Sequence, residues 1–502
     1  MSVKGRVKFI SLLPVLLAVV FLSGFSKCIP GKGDGSKLGR PLRVGVVTWP
    51  GYAGGIAANN GFAPNKDCIY WTKYGQTVQF LLMEDVDVRN KAFAKGGEDG
   101  VDIVWSTVDF WANELPAFVK DGVKARAVMQ VDWSRGGDAI VVDPSIQKIE
   151  DLKGKKISLA LFTPSHWFLE YSLENSRLDE SEQAEIVKNL VGKNASPDAR
   201  ADFVARKVDA AVVWEPDVTE ALSKRPGSKV LVSSKEAANL IADIMVARED
   251  FIKEHPDVIK AFVQGWLDGA VEANRNTDKV VRLLMDNEPV YKDLGEAGTR
   301  ATVPTVKLAD LSDNTQMFGL DGSDPLFDRI FKQAGQAWVK RGYIQSTVTP
   351  DQAKDLTFLK EIFAANPVSG ASGPVVRPSG DVENRGAIMS KPVTIVFPSG
   401  GSTLDSNAEQ LLDQVATLAQ TYSGAIIRIE GNTDNVGNAG ANKLLSEKRA
   451  EEVKKFLVDH YHIDPSRLVT KGNGPDKPVK PNTDEAGRAA NRRTDIEVVA
   501  AK

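Results

Sequence analysis

The sequence predicts an α/β protein built in more than one unit, and three observations predict it. From Leu42 to about Asn366, short β-branched runs alternate with helical patterns. "NPVSGASGPVVRPSGDVENRGAIMSKP" (Asn366 to Pro392) interrupts them with the Pro, Gly and Ser of a linker. From Val393 to Lys502, strands and helices alternate again over a short, self-contained stretch, the pattern of a two-layer α/β sandwich. A length of 502 residues suits roughly three domains at about 150 residues each.

The amino terminus comes first. "MSVKGRVKF" supplies Lys4, Arg6 and Lys8 ahead of the apolar "ISLLPVLLAVVFLSGF". Basic residues before a hydrophobic run mark a secretory signal peptide, and Gly24-Phe25-Ser26 offers small residues at the positions a signal peptidase reads. A retained membrane anchor over Phe9 to Phe25 is the alternative, at the short edge of a bilayer span. Lipidation at Cys28 would need a small residue where Lys27 stands. Residues 1–30 are therefore read as signal peptide or anchor, and 31–41, "GKGDGSKLGRP", as a tether. The chain is expected to be exported.

Composition excludes some classes. The 63 basic and 66 acidic residues give a net charge of -3, so no nucleic-acid partner is implied. Two cysteines, Cys28 and Cys68, are too few for a disulfide scaffold or a cysteine zinc site, and four scattered histidines suggest no metal cluster. No cofactor is expected.

The large region opens with "PLRVGVVTWPGYAGGIAANNGF", a strand, a Gly-rich turn and a helix. "GVDIVWSTVDFWANELPAF" repeats the scheme, with Ser106, Thr107 and Asp109 at the strand's carboxyl end. "KARAVMQVDWSRGGDAIVVDPS" reads as two strands near a crossing. "SIQKIEDLKGKKISLALFTPSHWFLEYSL" gives helix, strand, a turn at Thr163-Pro164-Ser165 and another helix. "KVDAAVVWEPDVTEAL" ends a strand at Trp214-Glu215-Pro216. Ligands of open α/β sheets collect beyond the carboxyl ends of strands, although polar residues also occur in ordinary βα turns.

In the last unit, "VTIVFPSGGSTL" starts as a strand with Val393, Ile395 and Phe397 on one face. "SNAEQLLDQVATLAQTY" follows as a helix carrying Leu411, Val415, Leu418 and Ala419, with Ser406 as its N-cap. "AIIRIEG" is a strand, "NKLLSEKRAEEVKKFLVDHY" a helix burying Ala450, Val453 and Leu457, and "RRTDIEVVA" a closing strand.

The order "FPSGGSTL", "IEGNTDNVG", "NKLLSEKRAEEV" and "RLVTKGNGPDKPVKPNTDEAGRAANRRTDIEV" resembles the OmpA-like peptidoglycan-binding domain over residues 393–499. The resemblance implies that Asp434 and Arg449 grip the diaminopimelate of a stem peptide, with Asn442 and Arg493 contributing, and with Asn432 where the family commonly has His. The chemistry suits that ligand: a carboxylate for the ammonium and a planar guanidinium for the carboxylate. The plainer reading is a surface pair of Arg449 with Glu452 and an Asp434 that only favours its turn.

The large region resembles the periplasmic substrate-binding proteins of ABC importers, in the nitrate, taurine, aliphatic sulfonate and thiamine-precursor group. The matching stretches are "LRVGVVTWPGY", "DIVWSTVD", "SIQKIEDLKGKKISLALFTPSHWFL", "FVARKVDAAVVWEPDVTEAL" and "AREDFIKEHPDVIKAFVQGWLDGAVE". The resemblance implies two α/β lobes closing on a small molecule, the first holding Leu42 to about Met129 plus later helices and the second about Gly137 to Val232. It places at the cleft Thr48, Trp49, Tyr52, Ser106, Thr107, Asp109, Thr163, Ser165, His166, Trp214 and Glu215. Ser165 would cap a helix start that favours an anion. Asp109 and Glu215 beside Trp49 and Trp214 would favour an amine or cationic ring, so a solute bearing both charges is expected.

The domain expectations are thus 42–366 for the solute-binding unit, 367–392 for a flexible linker and 393–502 for the wall-binding unit. An ABC permease or a sensing protein would be the partner. The competing class is a structural envelope protein whose lobe has lost its ligand. No partnered nucleophile or metal cluster offers a catalytic constellation.

Overall fold

The computed structural model describes residues 34–501, apart from 375, 394, 396–403, 405 and the side chains of 406 and 407. The leader over 1–30, Cys28, the Phe397 position and the Ser406 cap lie outside the described residues. Among the described residues no helix is long and apolar enough to cross a membrane.

The strands run in chain order as β1 (Leu42–Val46), β2 (Val78–Leu82), β3 (Ile103–Thr107), β4 (Ala125–Ser134), β5 (Asp138–Val142), β6 (Ile157–Ala160), β7 (Leu190–Lys193), β8 (Ala210–Trp214), β9 (Lys229–Ser233), β10 (Ala242–Arg248), β11 (Val306–Leu308), β12 (Met389–Val393), β13 (Ile426–Asn432), β14 (Leu468–Gly474) and β15 (Thr494–Val499). They form three sheets, ordered β11-β4-β10-β3-β1-β2, β7-β6-β8-β5-β9 and β12-β15-β13-β14. The first two sheets are two lobes.

Both lobes are α/β layers, and their central strands are buried on both faces. β3 reads IVWST and β8 reads AAVVW, each buried throughout. Continuous apolar runs of this kind are what a sheet covered by helices on both sides requires. Helices Pro256–Arg275 and Leu326–Lys340 return to the first lobe and bury Phe262, Trp266, Phe331 and Trp338. Residues 288–366 thus add helices to that lobe, as expected, and they also supply β11, which pairs with β4.

The chain passes between lobes at β4 to β5 and again at β9 to β10. The two crossings are stapled together: the Ser134 and Ser234 hydroxyls lie 2.6 Å apart, and the Gly136 N–H donates to Ser234 Oγ at 2.8 Å.

The third unit is a two-layer sandwich. Helix Ser406–Thr421 buries Leu412, Val415, Leu418 and Ala419; helix Ala439–Tyr461 buries Ala450, Val453 and Leu457. Leu411, expected on the buried face, is only half-buried, and the neighbouring Leu412 takes the core position. β14, the helix Glu485–Asn491 and the short 3-10 turn Pro465–Arg467 were not anticipated. β14 reads LVTKGNG, too polar and glycine-rich to show strand periodicity.

Both segments read as free connectors are docked where they are described. Arg40 of the tether makes a two-pronged contact with buried Asp102 at 2.7 and 2.8 Å. In the linker, Val376 and Val382 are buried, Arg385 donates to Ala500 O at 2.5 Å, and β12 pairs with β15 from Met389. The third unit therefore begins before residue 393, and composition overstated the freedom of 376–392.

Candidate functional site

The interlobe pocket forms where strand ends meet. Val47, Trp49 and Tyr52 follow β1, Trp105 lies near the end of β3, Asp138 opens β5, Trp214 ends β8, and Ile241 and Asp243 sit where the second crossing enters β10; Pro164 completes the lining. The pocket encloses about 240 Å³ including its mouth. No lysine or arginine is among these lining residues. Trp105 and Trp214 meet edge to face at 6.3 Å. Trp49 reaches the crossing because residue 137 is glycine; a Cβ there would strike the indole ring.

Two carboxylates, Asp138 and Asp243, line the pocket, and three more lie near them. Asp109, Asp132, Asp138, Glu215 and Asp243 are all buried. The Trp49 indole N–H donates to Asp132 Oδ2 at 3.1 Å, and the Tyr52 hydroxyl donates to Asp243 Oδ2 at 2.7 Å. Glu215 accepts from the Thr219 N–H and hydroxyl at 3.0 and 2.9 Å. Both oxygens of Asp109, Oδ1 of Asp132 and the Trp105 indole nitrogen have no partner. Burial disfavours the ionised form. It lifts Asp109 to about 8, Asp138 to about 7 and Glu215 to about 7, with Glu215 adding to the rise of Asp138. Asp132 and Asp243 are likewise pushed well up, mainly by burial.

The residues expected at the cleft divide. Trp49, Tyr52 and Trp214 line the pocket, and Asp109 and Glu215 belong to its acidic surround through their effect on Asp243 and Asp138. Thr48 lies at a second, more open pocket with Glu84, Arg200 and Asp217; its N–H donates to Glu84 at 2.9 Å. Ser106 points into a buried network, donating to Glu114 at 2.9 Å, and Glu114 is ion-paired with Arg89. Thr107 caps the following helix, accepting from the Phe110 N–H at 3.3 Å.

In the 163–166 turn, Thr163, not Ser165, occupies the N-cap position, and its hydroxyl donates to Ala160 O at 2.7 Å. Ser165 is in the first helical turn, buried, with an unpartnered hydroxyl. His166 does not face the cleft: it packs between Trp338 and Tyr343 at ring distances of 5.2 and 5.1 Å and accepts the Phe162 N–H through Nδ1. The sequence reading missed the lining residues Val47, Trp105, Asp138, Ile241 and Asp243. The last carried a signal, an acid inside the apolar run "LIADIMVA".

The second candidate site is the turn after β13. The Asp434 side chain accepts the Val436 N–H at 3.0 Å, which shapes the loop, and Asn442 Nδ2 donates to Val436 O at 2.9 Å. Helix Ala439–Tyr461 is pinned to β14 by the Gly474 N–H donating to Ser446 Oγ at 2.9 Å. Arg449 lies one turn further along; burial and the charge of Arg492 hold its pKa below the usual arginine value, and Asp434 partly offsets them. Arg492 reaches Asp434 at 2.7 Å.

Two expected contributors are turned inward. Arg493 pairs with Asp495 at 2.8 Å and donates to Lys477 O. Asn432 is buried, donating to Asp495 at 3.1 Å and accepting from Asn473 at 3.1 Å. Val436 and Leu444 leave apolar surface exposed at the rim.

Among the described residues, no group of His, Cys, Asp and Glu is arranged to hold a metal. Cys68 is a buried free thiol.

Comparison with known proteins agrees with this division. Residues 396–492 match the OmpA family, and residues 137–279 match the family described as NMT1/THI5 like. Outer membrane protein A of Bordetella avium is 45% identical over 106 residues, which are 21% of this chain and 54% of that protein. The taurine-binding periplasmic protein of Escherichia coli (strain K12) is 34% identical over 145 residues, 28% of this chain and 42% of that protein. The chain thus spans about half the length, or less, of these curated relatives. The periplasmic nitrate-binding protein NrtA from Synechocystis PCC 6803 superposes with a TM-score of 0.52 at 12% identity, covering 65% of this chain and 89% of that one. The fold is that of a periplasmic binding protein followed by an OmpA-like sandwich.

Proposed function

We propose that this chain, which joins an NMT1/THI5-like segment to a C-terminal OmpA-family unit, is an exported solute-binding protein held non-covalently to peptidoglycan in the cell envelope. It captures a small molecule between its lobes and presents it to an ABC-type permease or a sensing protein. The observation that carries the reading is an interlobe pocket with buried, unpartnered polar atoms in the same chain as an acid–arginine turn. A lobe that had lost its ligand would gain stability by replacing such groups, because each buried polar atom without a partner costs roughly 1–3 kcal/mol.

At the turn, Asp434 receives an ammonium and Arg449 a carboxylate, the two charges that diaminopimelate carries on one carbon. Arg492 already bridges to Asp434, so it is the third charged group of the site in place of Arg493. Wall binding is tested by sedimenting the full chain with purified diaminopimelate-type peptidoglycan. Asp434→Ala and Arg449→Ala each remove a charge-assisted contact of about 1.5–3 kcal/mol, so retention falls roughly ten- to a hundredfold. Glu452→Ala leaves retention unchanged. Equal sedimentation of all three variants would refute wall binding through this turn.

A further inference from the structure

We propose that the interlobe pocket selects a compact organic ammonium ion, its charged nitrogen held among the indoles of Trp49, Trp105 and Trp214 and beside the carboxylates of Asp138 and Asp243. This deepens the solute-receptor reading and rests on it.

Charge balance carries the argument. Asp109, Asp132, Asp138, Glu215 and Asp243 are buried around one small space, and their partners among the described residues are hydroxyls, an indole and backbone N–H groups rather than cations. The nearby guanidinium, Arg89, is taken up by Glu114 and stacks on Trp105 at 4.9 Å from the ring centre. In the second pocket, Arg200 is held by Asp217 and Glu220. Burial favours the protonated acids in the empty pocket; an entering cation lets them ionise against it, whereas an anion meets no basic side chain in the lining.

The lining decides which cation. Indole faces attract positive charge through their quadrupole and exclude water, which favours alkylated or organic ammonium over a hydrated metal ion. The pocket leaves only about 10 Å³ for the centre of a water-sized body, so the lobes must part to admit even a compact ligand. Trp105 is nine-tenths or more buried, lines the pocket, and has an indole N–H without a partner. A donor left open there calls for an acceptor oxygen on the ligand, such as a hydroxyl. The anionic group that the helix start near Ser165 suggested has no basic side chain in the lining to receive it.

The test is calorimetry on the full chain with choline as probe, against 3,3-dimethylbutan-1-ol, its uncharged carbon analogue. Ethylammonium, nitrate, ethanesulfonate and taurine complete the series. Choline or ethylammonium is expected to bind at least a hundredfold more tightly than the uncharged analogue, with nitrate and ethanesulfonate silent. Asp138→Asn should weaken choline at least tenfold while raising the unfolding temperature of the empty protein, since it removes a buried carboxylate. A merely structural aspartate would not give those opposite signs.

If nitrate, ethanesulfonate or taurine binds and the simple ammonium ions do not, the cation inference fails and the solute-receptor reading stands. If no solute of any charge binds, both fail. Should Asp138→Asn not fold, choline against its uncharged analogue on the unaltered chain decides alone.

Discussion

The Asp109 carboxyl sits in the first turn of the helix Val108–Lys120 with neither oxygen bonded. It is faced by Asp138 and by Glu114, the latter held by Arg89, and lies near Asp243. Burial raises it to about 8. A carboxyl whose folded pKa lies above its unfolded value of about 3.9 binds its proton more tightly in the folded state. That contribution is complete below about pH 4 and is lost as pH rises to about 8. Asp138 and Glu215, at about 7, act in the same direction. The unfolding temperature of the empty protein should therefore fall between pH 5 and pH 8.5, and Asp109→Asn should flatten the slope; a rising temperature would contradict these assignments. At this scale the sequence placed Asp434 and Arg449 on one turn and the helix that follows it. It was misleading where neighbours share a residue type. "NRR" contains two arginines, and only β15 shows that the second turns inward to Asp495. His166 reads as a binding group until the distant Trp338 and Tyr343 enclose it.

Among elements, the crossing between β4 and β5 has the clearest effect on the pocket. Gly137 lets the Trp49 ring lie against it, and the adjacent Asp138 lines the space beyond. Gly137→Ala should displace the indole, shift tryptophan emission to longer wavelength and weaken solute binding about tenfold, without loss of wall retention. An unchanged emission spectrum would place Trp49 elsewhere. Alternating strand and helix patterns made both lobes and most of the last sandwich legible in the sequence, because buried central strands such as β3 and β8 are apolar throughout. β14 was not legible, since LVTKGNG owes its place to pairing with β13 and not to its own pattern. The Pro/Gly/Ser composition of 376–392 marked the segment as a connector. Its docking depends on contacts from residues more than a hundred positions away, such as Arg385 with Ala500.

Across the whole molecule, the OmpA-like unit rests on both lobes and on the crossing between them. Tyr422 stacks on Tyr171 of the second lobe at 6.0 Å, Lys391 donates to Asn175 at 3.0 Å, and Arg177 lies 3.4 Å from Asp495. Arg329 of the first lobe bonds Gln420. The second crossing contributes two backbone bonds, Asn239 N–H to Thr421 O and Gly424 N–H to Glu236 O, each 3.1 Å. A Cβ at Gly424 would collide with Lys235 O. Gly424→Leu should therefore release the unit, raising the radius of gyration in small-angle scattering and speeding cleavage within 367–374. An unchanged radius would show that the contact is dispensable.

The central claim is that one chain carries a captured solute on the wall. The direct measurement is the amount of radiolabelled choline that sediments with purified peptidoglycan in the presence of the full chain. The account predicts retention in proportion to bound protein, lost with Arg449→Ala although that variant still binds choline in solution, and lost with Asp138→Asn although that variant still sediments. Protein that sediments through Asp434 and Arg449 yet retains neither choline nor any of nitrate, ethanesulfonate and taurine would contradict it.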